Sequence, residues 1–242
     1  MKETKEVKVD MLEAVILAGG FGTRLQSVVS DVPKPMAPVA GRPFLCYLLE
    51  SLLRQGYTRA VLATGYLHEK VEACFGSDYR GLALAYARET SPLGTGGAIV
   101  NALQHCQADS VTVLNGDTLL LADLAELRQL ALQKATPLAV VLRAVDDAGR
   151  YGAVDTDADG RITSFHEKDP AHGPGLINGG IYQLHRSLLA ARAVGAPFSF
   201  EREVLQGRFR EEAFYGYRTD GYFIDIGVPD DYRRAQTELP LL

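Results

Sequence analysis

The chain has 242 residues, 47% of them hydrophobic and 23% charged, a balance that suits a globular protein with one sizeable core. A formal charge of −5 excludes the broadly basic face that a nucleic-acid partner needs, and no apolar run approaches the length of a membrane span. Cys46, Cys74 and Cys106 stand singly and the histidines share no spacing, so no thiolate metal site, Ser-His-Asp or Cys-His arrangement stands out.

Residues 1–10 (MKETKEVKVD) alternate Lys and Glu without a core pattern and read as a disordered extension, with Met11 as an alternative start. They lack the apolar segment of a secretion signal, which makes the cytoplasm the expected compartment. Glu13-Ala14-Val15-Ile16 is a short run of the buried-strand type. Strand-like runs follow at 60–66, 82–88, 110–115 and 137–145, alternating with helical patterns at 44–55, 67–75, 95–106 and 121–134. This alternation predicts an α/β fold, with a mixed, mostly parallel central sheet covered by helices on both faces. Beyond residue 145 the strands shorten, turns fall at 148–152 and 157–160, and Gly227-Val228-Pro229 starts the last helix. No repeat or long linker interrupts the chain. A single domain over 11–242 is expected, with halves at 11–145 and 146–242, the second forming a small lobe on the same sheet.

The first strand runs into Leu17-Ala18-Gly19-Gly20-Phe21-Gly22-Thr23-Arg24-Leu25, and Pro33-Lys34-Pro35 follows shortly after. Glycines let backbone N–H groups close on an oxyanion, while Arg24 and Lys34 add a planar fork and a point charge. A strand, a glycine turn and nearby cations are what a nucleoside triphosphate needs; the plain alternative is a flexible loop with two solvated bases. Thr23 follows Gly22 where a P-loop needs Gly-Lys-Ser/Thr, and Leu25 stands where the dinucleotide fingerprint needs its last glycine or alanine.

Asn115-Gly116-Asp117 ends a second apolar strand, and Asp225 ends the run Tyr222-Phe223-Ile224. Carboxylates at the carboxyl edge of a parallel sheet suit a hard cation such as Mg²⁺, which takes one or two carboxylates and otherwise phosphate and water. Aspartates also cap helices and turns, so each one alone admits that reading. A second glycine turn, Glu89-Thr90-Ser91-Pro92-Leu93-Gly94-Thr95-Gly96-Gly97-Ala98, opens a helix and lets backbone approach a flat base; a helix cap by Thr95 beside a solvated Glu89 is its alternative.

Taken in order, these segments resemble the sugar-1-phosphate nucleotidylyltransferases, over nearly all of the chain from about residue 12 to residue 232. The resemblance implies a Rossmann-like nucleotidyltransferase fold, a nucleotide-binding first half and a sugar-phosphate-binding second half. It places Leu17, Ala18, Gly19, Gly20, Gly22 and Thr23 on the nucleotide, with Arg24 on its outer phosphates and Lys34 beside the reacting one. Glu89, Pro92, Gly94, Thr95, Asn115 and Gly116 complete the nucleotide site, and Asp117 and Asp225 hold Mg²⁺. Tyr151, Gly152, Glu167, Lys168, Asn178 and Gly179 fall on the family's sugar-phosphate segments. The Pro-Leu-Gly-Thr-x-Gly form is most similar to enzymes that use GTP, and a carboxylate at Glu89 accepts guanine's two adjacent donors. The segments before Pro33, around Gly179 and around Asp225 resemble most the branch acting on D-glycero-α-D-manno-heptose 1-phosphate, which makes GDP-heptose for bacterial surface polysaccharides. The expected partners are GTP and a sugar 1-phosphate, with no nucleic acid or membrane, and a homodimer by family analogy. Mannose 1-phosphate guanylyltransferases, uridylyl- or thymidylyltransferases and a catalytically silent sugar-nucleotide-binding subunit are the alternatives. The family's usual Trp before the last aspartate is absent.

Overall fold

The computed structural model describes residues 11–20, 32–166, 169 and 173–242. In chain order, β1 (Glu13–Leu17) precedes a small hairpin, β2 (Pro38–Val39) and β3 (Arg42–Pro43), then α1 (Phe44–Arg54), β4 (Arg59–Thr64) and α2 (His68–Phe75). β5 (Asp78–Tyr79), β6 (Leu82–Arg88), α3 (Gly94–Leu103) and β7 (Ser110–Asn115) follow. The second half holds β8 (Thr118–Leu120), α4 (Leu124–Gln133), β9 (Leu138–Val145), β10 (Val154–Thr156), β11 (Ile162–Phe165) and β12 (Gly175–His185). A short α5 (Gln206–Arg208), β13 (Tyr215–Thr219), β14 (Phe223–Asp225) and α6 (Pro229–Glu238) complete it.

Eight strands form one sheet in the order β13-β9-β12-β7-β1-β4-β6-β5. β1 lies parallel between β4 and β7, β6 extends the parallel block, and β13 runs parallel to β9. The strand β12 runs antiparallel between β7 and β9, so the second half completes the sheet of the first. The sheet is mixed and mostly parallel, as the alternation of runs predicts.

Period-2 alternation along β1 divides the core between the faces. Ala14 and Ile16 pack with α1, α4 and α6, whereas Val15 joins α3 and the Phe198–Phe214 region on the other side. In α1 the apolar residues Phe44, Leu45, Leu48, Leu49 and Leu52 recur at helical spacing and are fully or almost fully buried. Both faces of the sheet are therefore covered.

Element ends differ from the sequence reading where local chemistry decides. The run 60–66 stops at Thr64, because Gly65 and Tyr66 turn away and Leu67 adopts a left-handed φ of 54° before α2. The 121–134 helix begins at Leu124: the Asp123 carboxylate accepts from the N–H groups of Ala125 (2.8 Å) and Glu126 (3.1 Å) and caps it. Residues 118–120 instead form β8, which pairs antiparallel with β14 in the register Leu120↔Phe223, Leu119↔Ile224 and Thr118↔Asp225. This ribbon is invisible to periodicity because each strand has only three residues.

Removing the α4 cap by Asp123→Ala should cost roughly 0.5–2 kcal/mol. The drop should appear as a lower urea midpoint at unchanged m-value. An unchanged midpoint would show that the capping bonds contribute nothing net.

Candidate active site

The carboxyl ends of β1, β4, β6 and β7 open into a cavity of about 510 Å³. In parallel sheets that edge is where loops gather around a ligand. Of the residues expected on the nucleotide, Leu17, Gly19, Gly20, Glu89, Pro92, Gly94, Thr95, Asn115 and Gly116 line this cavity, together with Lys34 and Asp117. Gly22, Thr23, Arg24, Glu167 and Lys168 lie outside the described residues.

Close backbone approach shapes the walls. Ala18 continues the ladder by donating its N–H to Ala63 O (2.8 Å), so it fixes the loop's exit from the sheet. Gly19 has Gly65 on one side and Glu89 on the other; a Cβ there would stand 2.8 Å from Glu89 Oε1. Gly116 donates to Leu17 O (3.1 Å), and any side chain on it would overlap that carbonyl. Pro35 packs on the same glycine, which ties the turn carrying Lys34 to the loop carrying Asp117.

Glu89 anchors the second glycine turn. Its N–H donates to Thr64 O (2.8 Å), and its Oε2 accepts from the Leu93 N–H (3.0 Å). Burial pushes its carboxyl above the usual carboxylate range, with the Leu93 N–H opposing the shift. Oε1 and the second lone pair of Oε2 retain acceptor capacity beside the cavity. Thr95 lies within α3 and does not cap it: its hydroxyl donates to Glu201 Oε2 (2.5 Å) and accepts from the Phe200 N–H (2.9 Å). The turn thus rests on the 198–201 segment, whose part periodicity did not reveal. Thr90, Ser91 and Ala98 of the same turn also line the cavity, and Gly65 and Tyr66, which no motif marks, join them; the signal for those two is their place directly after a strand.

Asn115 Oδ1 is buried without a hydrogen-bond partner in the protein, and Gly180, at φ 73°, fits against its amide. Asn178, on β12, donates from Nδ2 to the Tyr182 hydroxyl (2.8 Å) and accepts the Gly180 N–H (3.0 Å), so its amide is engaged internally. Gly179 leaves room for Leu120 and the Val141 carbonyl. Gly152, at φ 87°, closes a turn onto Ala148 O (2.9 Å). Its neighbour Tyr151 meets Phe223 edge-on at 5.5 Å, at the border of a second cavity rather than in the first.

The ribbon of β8 and β14 brings the two aspartates together. Ile226 N–H donates to the Asp117 carbonyl (3.0 Å) at the end of that pairing. Lys34 forms a short ion pair with Asp117 Oδ2, and its Nζ lies 3.9 Å from Asp225 Oδ1. The three side chains are 15%, 34% and 26% exposed, so all are partly desolvated, and Lys34 and Asp117 line the cavity. Asp225 Oδ1 also accepts from the Gly227 N–H (2.7 Å). Burial pushes the Asp225 carboxyl up, Asp117 adds to the rise, and Lys34 with the Gly227 N–H opposes it. Neither aspartate caps a helix, since Asp123 caps α4 and α6 has no side-chain cap.

The donor set fits a hard cation. Among the described residues no cluster of three His, Cys, Asp or Glu forms, but two converging carboxylates with room for phosphate oxygens are a recurrent Mg²⁺ arrangement. An ammonium already lies against the pair, which shows that a cation is accommodated there. Among the described residues no helix is long and apolar enough to cross a membrane.

The family model described as nucleotidyl transferase matches residues 13–240. The chain is 44% identical over 228 residues to the D-glycero-alpha-D-manno-heptose 1-phosphate guanylyltransferase of Aneurinibacillus thermoaerophilus, covering 94% of this chain and 98% of that one. It is 40% identical over 221 residues to the enzyme of the same name from Campylobacter jejuni, covering 91% and 97%. The crystal structure of HddC from Yersinia pseudotuberculosis complexed with GMP-PN superimposes with a TM-score of 0.85 at 38% identity, over 95% of this chain and all of that one. The chain therefore belongs to the nucleotidyl transferase family.

Proposed function

We propose that the protein transfers GMP from GTP to D-glycero-α-D-manno-heptose 1-phosphate, releasing pyrophosphate and GDP-heptose. The observation that carries this reading is the meeting of Asp117, Asp225 and Lys34 at the end of a cavity walled by two glycine turns. The near full-length match to relatives named for that reaction selects the base and the sugar. The product serves a bacterial surface polysaccharide, and the work is done in the cytoplasm by a homodimer. Residues 11–145 bind the nucleotide and 146–242 the sugar phosphate.

No protein nucleophile is required. A phosphate oxygen of the sugar 1-phosphate, already anionic at neutral pH, forms a bond to the α-phosphorus. The bond from that phosphorus to the bridging oxygen breaks, and its electron pair leaves with pyrophosphate. The task is to bring two polyanions together in line, which is positioning and electrostatics. Mg²⁺ held by Asp117 and Asp225 would supply charge neutralisation to the phosphates. Lys34 offsets charge at the α-phosphate, Arg24 holds the outer phosphates and Lys168 docks the acceptor. Glu89 accepts guanine's N1–H and N2–H donors, while uracil's carbonyl oxygens would meet the same carboxylate unfavourably.

Pyrophosphate release from GTP, UTP, dTTP, CTP and ATP, each with heptose 1-phosphate and mannose 1-phosphate, tests the reading directly. GTP should exceed UTP by about a hundredfold or more in kcat/KM, because charge-assisted hydrogen bonds contribute roughly 1.5–3 kcal/mol each. Parity of UTP or dTTP with GTP would remove guanine from the proposal.

The preference should also depend on pH. The carboxyl of Glu89 is raised by burial, so lowering the pH protonates it earlier than an exposed carboxyl and replaces an acceptor by a donor. The GTP/UTP ratio should therefore fall as pH drops through that raised range, and Glu89→Gln should give a small, pH-flat ratio. A wild-type ratio as flat as that of the variant would assign base reading elsewhere.

Asp117→Asn and Asp225→Asn should each lower turnover by orders of magnitude at fixed Mg²⁺ with folding kept. Near-wild-type turnover at low Mg²⁺ in either variant would make that aspartate structural. Lys168→Ala should mainly raise the KM for the sugar phosphate, because it removes a point charge from the acceptor dock. An unchanged acceptor KM would return Glu167 and Lys168 to the surface.

A further inference from the structure

Lys34 occupies an unusual position for a phosphate-binding lysine. Its ammonium lies on Asp117 Oδ2 at the cavity wall, with Asp225 Oδ1 at 3.9 Å. Three features hold it there. Pro33 and Pro35 flank it in a helical turn, and Pro35 is buried, so the backbone of Lys34 is fixed and only the side chain can swing. Pro35 packs on Gly116, directly before Asp117, which keeps the lysine beside that carboxylate. Gly227 is the third. A Cβ at this position would overlap the Lys34 ammonium and stand 2.8 Å from Asp225 Oδ1, and its backbone does not need a positive φ. The missing side chain therefore serves the ammonium rather than the turn.

We infer that Lys34 is a built-in counter-ion that competes with the divalent cation for Asp117 and Asp225, and that Gly227 is the positioning residue that admits it. This rests on the reading of the two aspartates as the cation's ligands. A cation bound to the same oxygens would stand roughly 4 Å from an ammonium left in contact with them, and two positive charges at that separation repel one another. Loading the cation thus expels the ammonium, and the turn geometry leaves the cavity as its destination. A polyphosphate in the cavity receives the ammonium, which favours cation entry, and the reverse holds by thermodynamic reciprocity. The same lysine that stabilises the empty site is thereby delivered to the phosphates only when cation and nucleotide are both present. Unproductive binding of the cation alone is suppressed.

The test is direct binding of Mn²⁺ to the full chain without nucleotide, read by the free-Mn²⁺ electron paramagnetic resonance signal. Lys34→Met removes the competitor, and Gly227→Ala displaces it by a methyl group while keeping the lysine. Each should bind Mn²⁺ about tenfold or more tightly than wild type, within the usual range of coupling between sites. The gain should vanish in the double variant Lys34→Met, Asp225→Asn. Circular dichroism establishes that each variant is folded, and either single variant suffices if the other is not. Affinity equal to or weaker than wild type in a folded single variant, with binding still lost on Asp225→Asn, overturns the competition and leaves the metal-ligand reading standing. A gain that survives Asp225→Asn overturns both, because the cation then binds elsewhere. Turnover of GTP by the wild-type enzyme is a separate measurement, so failure of the proposed reaction is not confused with either result.

Discussion

A pair of carboxylates held around one ammonium at the carboxyl edge of the sheet is the constraint on which the site depends. At an effective dielectric near 20, unit charges about 4 Å apart interact by roughly 4 kcal/mol. Burial raises the cost of ionising Asp225, and the neighbouring Asp117 adds to it. Lys34 and the Gly227 N–H work against that cost. The arrangement needs four chain segments to converge: the 33–36 turn, the β7–β8 junction, the end of β14 and the loop before α6. The β8–β14 ribbon supplies the convergence, because its register sets Asp225 opposite Thr118, the residue after Asp117. A slip of one residue would turn Asp225 to the opposite face.

The glycines at this edge act chiefly through close approach rather than flexibility. Gly116 lets the Asp117 loop lie against the Leu17 carbonyl, and Gly19 lets the first glycine turn lie against Gly65 and Glu89. The turns therefore stand on one another and on the strand ends of β1, β4 and β7. This stacking explains how loops of irregular backbone can form a cavity wall without a hydrophobic core of their own. It also gives Glu89 two tasks, since the carboxylate that faces the cavity also fixes the Leu93 N–H. A group that braces its own loop is held in one orientation beside the cavity, so little ordering entropy remains to oppose the binding of a ligand there.

Much of the fold was legible because its strands and helices are long enough to show their period. The runs at 82–88 and 110–115 coincide with β6 and β7, and the apolar spacing at 44, 45, 48, 49 and 52 announces α1. The antiparallel insertion of β12 was not legible, because strand direction leaves no mark on periodicity. Nor was the ribbon of β8 and β14, whose three-residue strands carry too few side chains to show alternation. At the site, the glycine turns and Asp117 could be found from their places after strands, and Asp225 from its place at the end of a short apolar run together with the family resemblance. What was hidden was their mutual geometry: Thr95 bonded to Glu201, the Asn178 amide engaged by Tyr182 and Gly180, and Lys34 lying on the aspartates. The first and last of these join residues 106 and 83 positions apart, and a single sequence encodes such contacts only through the fold.

An acidic protein that handles two polyanions must concentrate its cations where they act. The net charge of −5 opposes a general attraction for phosphates, so affinity has to come from the site itself. The exposed arginines of the described surface are largely tied to carboxylates: Arg88 to Glu72, Arg192 to Glu203, Arg234 to Asp231 and Glu238. Such pairs contribute little to stability, but they cancel stray fields that would draw phosphates elsewhere. Lys34 differs from them in being partly buried and fixed by prolines beside a cavity. Its charge is shielded by the aspartates, and under the proposed competition it becomes available to an anion when another cation takes over those carboxylates. Attraction that is conditional in this way would let a negatively charged surface and a phosphate-transfer site coexist in one chain.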